Sequence, residues 1–275
     1  IFTKTSSEEL LNKSLNLLYN KYKTCVKCGS KNIWKIKNNF IIKCNWKPCS
    51  YKINALKKTC FSKFKIEMTK ILDMIAFWIH GMSFKNISLV TNVSSQCVTR
   101  FFRKFNNVLA TNYHSVKKSI GGENIIVEID ESKFGRRKYH RGHKVDGVWV
   151  FGLVERTPER KILLFPVAKR DKTTLMTLLK KHVLKNTVIY SDCWKAYSSL
   201  NTEFAGHFTV NHTKEFVNKE NNVHINTIEG NWSAIKITVP KRHRSINYIN
   251  MYLIKFMIKR NEPGNVEDNL LKYLL

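Results

Sequence analysis

Hydrophobic residues recur along this chain with two different periods, and the switch between them divides it. Residues 6–20, SSEELLNKSLNLLYN, open with a Ser-x-x-Glu capping box and carry leucines at helical spacing, which predicts a short N-terminal helix. IWKIKNNFIIK, within residues 25–53, reads instead as two short strands about an Asn-Asn turn. From 66 to 106 the period is helical again. IEMTKILDMIAFWIHG predicts an amphipathic helix ending near Gly81, and SFKNISLVTNVSSQCVTRFFRKFNNVL predicts two more with a break at Thr91–Ser94.

After the linker-like SIGGEN, residues 119–124, the pattern becomes that of strands. NIIVEID (124–130) is an apolar run ending in Asp130. DGVWVFGLVER (146–156) and KILLFPVA (161–168) form a strand pair. TTLMTLLKKHVL (173–184) is a helix, NTVIYSD (186–192) a strand, CWKAYSSL a short helix and HFTVNH (207–212) a fifth strand. HINTIEGNWSAIKITV (224–239) is a helix with Ile225, Ile228, Trp232 and Ile235 along one face, and a last helix covers about 246–260. Trp149, Trp194 and Trp232 are expected in the core, and the single Cys60, Cys97 and Cys193 are expected to pack.

Charge alters this picture. The formal net charge is +28, and 22 of the 48 basic but 4 of the 20 acidic residues fall in residues 1–120. Such a polycation is expected to meet a polyanion, and nucleic acid is the usual one. The longest apolar stretch, ILDMIAFWI, is far short of a membrane span and contains Asp73, and no secretory signal is read, so a membrane or secreted class is not expected.

Four of the seven cysteines pair by close spacing: Cys25 and Cys28 as C-x2-C, Cys44 and Cys49 as C-x4-C. Thiolates at the two ends of a hairpin can reach one tetrahedral Zn²⁺, and a unit too small for its own core needs that metal. The second pair is wider than the usual knuckle, so Cys49 is the least secure ligand. Two helices around a tight polar turn give the helix-turn-helix pattern, with Ser95, Gln96, Thr99, Arg100, Arg103 and Lys104 offered to DNA and Val98, Phe101, Phe102 and Phe105 inward. RRKYHRGHK supplies Arg136, Arg137, Lys138, His140 and Arg141 for phosphates and Tyr139 for stacking on a base. PKRHRS adds Lys241, Arg242 and Arg244.

Asp130, Asp192 and Glu229 are the remaining chemistry. The order of elements resembles that of the ribonuclease H-like fold, in which these positions converge at one sheet edge. Three carboxylates without basic partners repel unless cations lie between them, and two Mg²⁺ or Mn²⁺ ions there suit phosphodiester chemistry. Glu128 shares a strand face with Asp130 and is a minor alternative ligand. VEIDESKFGRRKYHRGHKVDGVWVFGLVER, VIYSDCWKAYSSL and HINTIEGNWSAIK together resemble the Merlin superfamily of DNA transposases and its bacterial insertion-sequence relatives, over about residues 25–260.

The resemblance implies an α/β chain: a ribonuclease H-like mixed five-stranded sheet flanked by helices, preceded by a small zinc ribbon and a helix-turn-helix domain. The expected divisions are an N-terminal helix (1–24), the ribbon (25–65), the helix-turn-helix domain (66–118), the catalytic domain (119–262) and a C-terminal tail (263–275). It further implies a cut-and-paste transposase with Asp130, Asp192 and Glu229 as the Asp-Asp-Glu triad, one structural Zn²⁺ and double-stranded DNA as partner (terminal inverted repeats and target). At least a dimer is implied at synapsis. The expected location is the nucleus of a eukaryotic host or otherwise the nucleoid. The rival readings are a domesticated DNA-binding regulator that has lost transposition, and a structure-selective nuclease.

Overall fold

The computed structural model describes residues 4–36, 40–57, 59, 61–62, 64–116, 119–135, 147–211, 217–218 and 222–275. The chain forms two compact units, one of residues 1–112 with 264–275 and the other of residues 113–263.

In the first unit, helix α1 (Lys4–Asn20) precedes a three-stranded antiparallel sheet of β1 (Ile33–Ile36), β2 (Ile41–Cys44) and β3 (Lys52–Asn54). The third strand was not expected. Its three residues, Lys-Ile-Asn, are too few for alternation to register, and β2 pairing defines it. The Asn-Asn turn lies outside the described residues. Helices α2 (Met68–Ile79), α3 (Phe84–Thr91) and α4 (Ser95–Val116) follow. Ser83 caps α3 through Asn86 N–H, and Asn92 ends it in the left-handed conformation that Asn tolerates. Val98, Phe101, Phe102 and Phe105 are fully buried, as their spacing predicts. Trp78 meets the Phe105 ring at 5.3 Å, and Phe84 stacks on Phe102 at 4.5 Å. The segment expected to be a tail instead carries helix α8 (Val266–Leu274), capped by Asn265 and burying Leu270, Leu271 and Leu274 beside α1 and α2.

The second unit is built on a mixed five-stranded sheet of order β6-β5-β4-β7-β8, flanked by helices. Its strands are β4 (Ile126–Phe134), β5 (Val148–Glu155), β6 (Ile162–Val167), β7 (Val188–Asp192) and β8 (Gly206–Val210). β4, β5 and β6 form an antiparallel meander, whereas β7 and β8 run parallel to β4. The parallel step is permitted by the crossover through α5 (Lys172–His182), which Asp171 caps. β5, inside the sheet, is a nearly continuous apolar run, and Val127, Ile129, Val150, Phe151, Leu153 and Val154 of β4 and β5 are wholly buried. Helices α6 (Asn226–Thr238) and α7 (Ile249–Asn261) lie on one face, contacting β4, β5 and β6. On the other face the α5 imidazole of His182 meets Phe165 of β6. The stretch 193–200, expected as a short helix, instead holds the 3₁₀ turn Lys195–Tyr197, and a second, Leu200–Thr202, starts at its last residue. No helix among the described residues is long and apolar enough to cross a membrane.

Candidate active site

The centre of the second unit's sheet gathers carboxylates. β4 was expected to end at Asp130 but runs on to Phe134, because Ser132 and Phe134 continue the inward alternation and pair with Val150 and Val148. Asp130 therefore sits mid-strand, where neighbours on both sides fix its backbone. Its parallel partner β7 does end at Asp192. Glu128 lies opposite Tyr190, so continuing that register by two residues brings Asp130 beside Asp192.

Helix α6 supplies the third acid, and two bonds from β4 hold it. Buried Glu128 accepts the backbone N–H of Ile228 on Oε2 at 2.9 Å. Asp130 Oδ2 accepts the indole N–H of Trp232 at 2.8 Å. Glu229 follows Ile228 directly, in the first turn of α6. Gly152, paired with Asp130 in the sheet, makes this docking possible. A Cβ there would stand 2.6 Å from two Trp232 ring carbons and 2.9 Å from Ile228 Cδ1.

Electrostatics confirm that the three acids share one neighbourhood. The Asp130 carboxyl is pushed up to about 6, by burial first and then by the charges of Asp192 and Glu229, against the opposing bonds from Trp232 and the Glu131 backbone. Glu131, on the other face of β4, rises to about 8 through burial and then through Asp130 and Asp192, with Arg170 opposing. Tyr197 donates its hydroxyl to Glu131. The Trp194 backbone N–H binds Asp192 Oδ1 at 3.0 Å. Lys236, further along α6, has its ammonium lowered by burial and by Arg244, while Asp130 works the other way. A hard divalent cation fits this donor set, since oxygen ligands crowded into mutual repulsion gain most from a positive charge. The acids are nevertheless spread more openly than the cysteines of the first unit.

Those cysteines form a tight group. Among the described residues, theirs is the set whose ligand atoms all lie within 4.8 Å of one another. Cys25 and Cys49 Sγ are 3.8 Å apart, and Cys28 and Cys44 Sγ 3.6 Å. Zinc–sulfur bonds of about 2.3 Å in a tetrahedron imply sulfurs separated by about 3.8 Å, so the four fit a zinc ribbon, Cys49 included. Backbone N–H groups of Cys28 and then Lys27 lower the Cys25 thiol to about 6, toward the thiolate a metal needs.

The residues offered to DNA divide. Ser95, Gln96, Arg100 and Arg103 are exposed on α4, and Thr99 is half-buried. Ser95 Oγ lies 3.1 Å from Ser88 Oγ across the turn. Lys104 is turned inward, donating to the Ser62 carbonyl at 2.6 Å and hydroxyl at 3.0 Å, with Phe64 beneath it. Its ammonium ties down the 59–66 segment rather than facing outward. Lys241 and Arg242 are exposed. Arg244 instead donates to the Lys236 carbonyl at 2.6 Å and the Val239 carbonyl at 3.2 Å, closing the C-terminal end of α6. Arg136, Arg137, Lys138, Tyr139, His140 and Arg141, like Cys60, lie outside the described residues.

Other expectations are corrected. Cys193 is exposed and Cys97 half-buried. Trp232 belongs to the core, but Trp149 and Trp194 are only half-buried. The sequence reading passed over Gly152, Arg170 and Tyr197, which carry no motif and gain meaning from partners far along the chain. Trp232 had a usable signal, standing one helical turn after Glu229.

Residues 119–261 match the ISXO2-like transposase domain family. An uncharacterized transposase-like protein of Haemophilus influenzae is 27% identical over 89 residues, which are 30% of this chain and 71% of that protein.

Proposed function

Because the chain belongs to the ISXO2-like transposase family, whose members are insertion-sequence transposases of the DDE type, we propose that it cuts and joins DNA by a cut-and-paste route, with Asp130, Asp192 and Glu229 as its catalytic triad. The observation that carries this reading is the convergence of three acids from β4, β7 and α6, with the charges of Asp192 and Glu229 raising the Asp130 carboxyl. The Merlin-like wording around these residues supports the same assignment.

Asp130, Asp192 and Glu229 would hold two Mg²⁺ or Mn²⁺ ions, which would lower the pKa of the attacking oxygen and stabilise the leaving one. Water attacks phosphorus at the element's end, the bond to the 3′ oxygen breaks, and that oxygen leaves as a hydroxyl. The freed hydroxyl then attacks a target phosphate and expels a target 3′ oxygen, so no covalent enzyme intermediate forms. The side chains act by position: mid-strand Asp130 and strand-end Asp192 are fixed by the sheet, and Glu229 by the α6 docking. The first unit binds the terminal inverted repeats through the ribbon, with one Zn²⁺, and through exposed Gln96, Arg100 and Arg103 in a helix-turn-helix. Lys241 and Arg242 add phosphate contacts. Two ends are brought together by at least a dimer.

The test is cleavage of a labelled duplex bearing the element's terminus, in Mg²⁺ and in Mn²⁺, with binding measured on the same preparations. Asp192→Asn should bind normally and lose cleavage by about a thousandfold or more. Asp130→Asn and Glu229→Gln should behave alike, and double changes should add little. Near wild-type cutting by folded Asp192→Asn would overturn the triad.

A further inference from the structure

Beside the carboxylates, on the opposite face of β4 from Trp232, two tryptophans from distant parts of the chain meet on one arginine. Trp149 is the second residue of β5, and Trp194 follows Asp192 by two residues. Between α5 and β6, Arg170 places its guanidinium carbon 4.0 Å from the Trp149 ring centroid and 5.1 Å from that of Trp194. Lys133 Nζ lies 5.6 Å from the same Trp149 ring. Both indoles are half-buried.

This stack is poorly explained as packing. The Arg170 side chain is 42% exposed, and its ion pair with Glu131 is loose at 3.9 Å. A pair at the limit of ion-pair distance holds the guanidinium loosely, even with the Glu131 side chain buried, and the two indole faces are its closer partners. A guanidinium that is 42% exposed can turn N–H donors to a phosphate, and half-buried indoles offer aromatic surface to a base. The platform is also tied to the proposed triad. Trp194 donates its backbone N–H to Asp192, and Glu131, facing Arg170, senses the charges of Asp130 and Asp192.

We infer that Trp149, Arg170 and Trp194 form a stacking site for one unpaired nucleotide of the DNA strand being cut, with the base against an indole and the phosphate on Arg170. The inference rests on the transposase reading. Inside a duplex both faces of a base are covered by its neighbours, so an indole platform selects a base that has left the stack. Placed next to Asp192, the site senses opening of the helix at the point of cleavage and holds the strand beside the carboxylates.

The test uses the full chain in magnesium-free buffer, with an eight-nucleotide single-stranded DNA carrying one 2-aminopurine and the matching duplex. Bound single strand should show quenched 2-aminopurine fluorescence. Trp149→Ala and Trp194→Ala should each weaken single-strand binding about tenfold and relieve the quenching, the scale of one lost base–indole stack. Duplex binding should change less than twofold. Trp149→Phe and Trp194→Phe, which keep an aromatic face, should restore both signals and guard against misfolding of the alanine variants. Arg170→Gln should weaken single-strand binding while retaining the quenching of what binds. Unchanged affinity and quenching in the alanine variants would overturn the site. So would an equal loss on single strand and duplex. The transposase reading is tested separately: a wild-type chain that quenches the probe but never cuts in Mg²⁺ contradicts that reading alone, whereas cutting without quenching contradicts the stacking site alone.

Discussion

Gly152 and Glu128, the latter expected only as a minor alternative ligand, act on the acids through the docking of α6. A methyl group at Gly152 meets the Trp232 ring at 2.6 Å, and that ring cannot retreat without giving up the bond to Asp130. Gly152→Ala should therefore cost about 1–3 kcal/mol, the usual range for overpacking, and should slow cleavage more than it weakens DNA binding. One Glu128 oxygen lies 3.5 Å from Arg156 Nε and 3.9 Å from His224 Nδ1, while its other oxygen accepts the Ile228 N–H. Glu128→Ala removes a helix-start acceptor and leaves Arg156 without its carboxylate. The expected result is a lower turnover with binding of a DNA end kept, measured as single-turnover cleavage against equilibrium binding. At this scale the sequence drew attention to Asp130 and Asp192, because an acid at the end of an apolar run is conspicuous, whereas Glu229 stood out only through the family resemblance of the words around it. Gly152 was not legible, since its need for hydrogen in place of a side chain arises only when α6 lies across β5.

Elements were legible where one face repeats for long enough. α2, the inward face of α4 and the buried strands of the sheet follow from periodicity alone. The end of β4 was misjudged because a polar Glu-Ser-Lys run after Asp130 looks like a turn, whereas pairing with β5 carries it on to Phe134. α8 escaped for a different reason. Nine residues hold barely two turns, and Glu267 and Asp268 give the segment the look of a solvated tail. Its stability comes from partners: Leu270 and Leu274 are wholly buried, Lys13 binds Asp268 at 3.2 Å, and Asn112 donates to the Tyr273 carbonyl at 2.7 Å. Leu270→Ala should cost about 2–5 kcal/mol, the range for a large-to-small core change, read as a lower urea midpoint. A loss under about 0.5 kcal/mol, the scale of a neutral surface change, would mean that α8 is dispensable to the unit that contains α1 and α2.

Across the whole molecule, crowding acids for chemistry sets a cost in stability that pH reveals. Glu131 rises to about 8 in the folded chain from an ordinary 4.5. A carboxyl raised on folding binds its proton more tightly in the native state, so its contribution is fully present below about 4.5 and is lost as pH climbs through 8. Asp130, at about 6, adds the same sign over a lower window. Half-buried His114 and buried His243, both lowered to about 4, act oppositely, because the unfolded chain takes up protons first as pH falls below about 6.5. The two classes offset one another between pH 4 and 6.5, which leaves Glu131 as the acid among these that still acts between 6.5 and 8. Cys25 of the ribbon, lowered to about 6 from an ordinary 9, also acts across that range, so the informative quantity is a difference between variants. Thermal unfolding of the wild-type chain in magnesium-free buffer should weaken from pH 6.5 to 8 more steeply than that of Glu131→Gln, by at most about 1.4 kcal/mol per pH unit. Added Mg²⁺ should narrow the gap, because a cation bound by the native acids alone stabilises that state by mass action and favours their ionised form. Asp192→Asn, with one fewer charge beside Glu131, should shift the same curve toward that of Glu131→Gln and respond less to Mg²⁺. Parallel wild-type and Glu131→Gln curves with or without Mg²⁺ would mean that the acids do not share a field, and the cation reading of the site would fall with them.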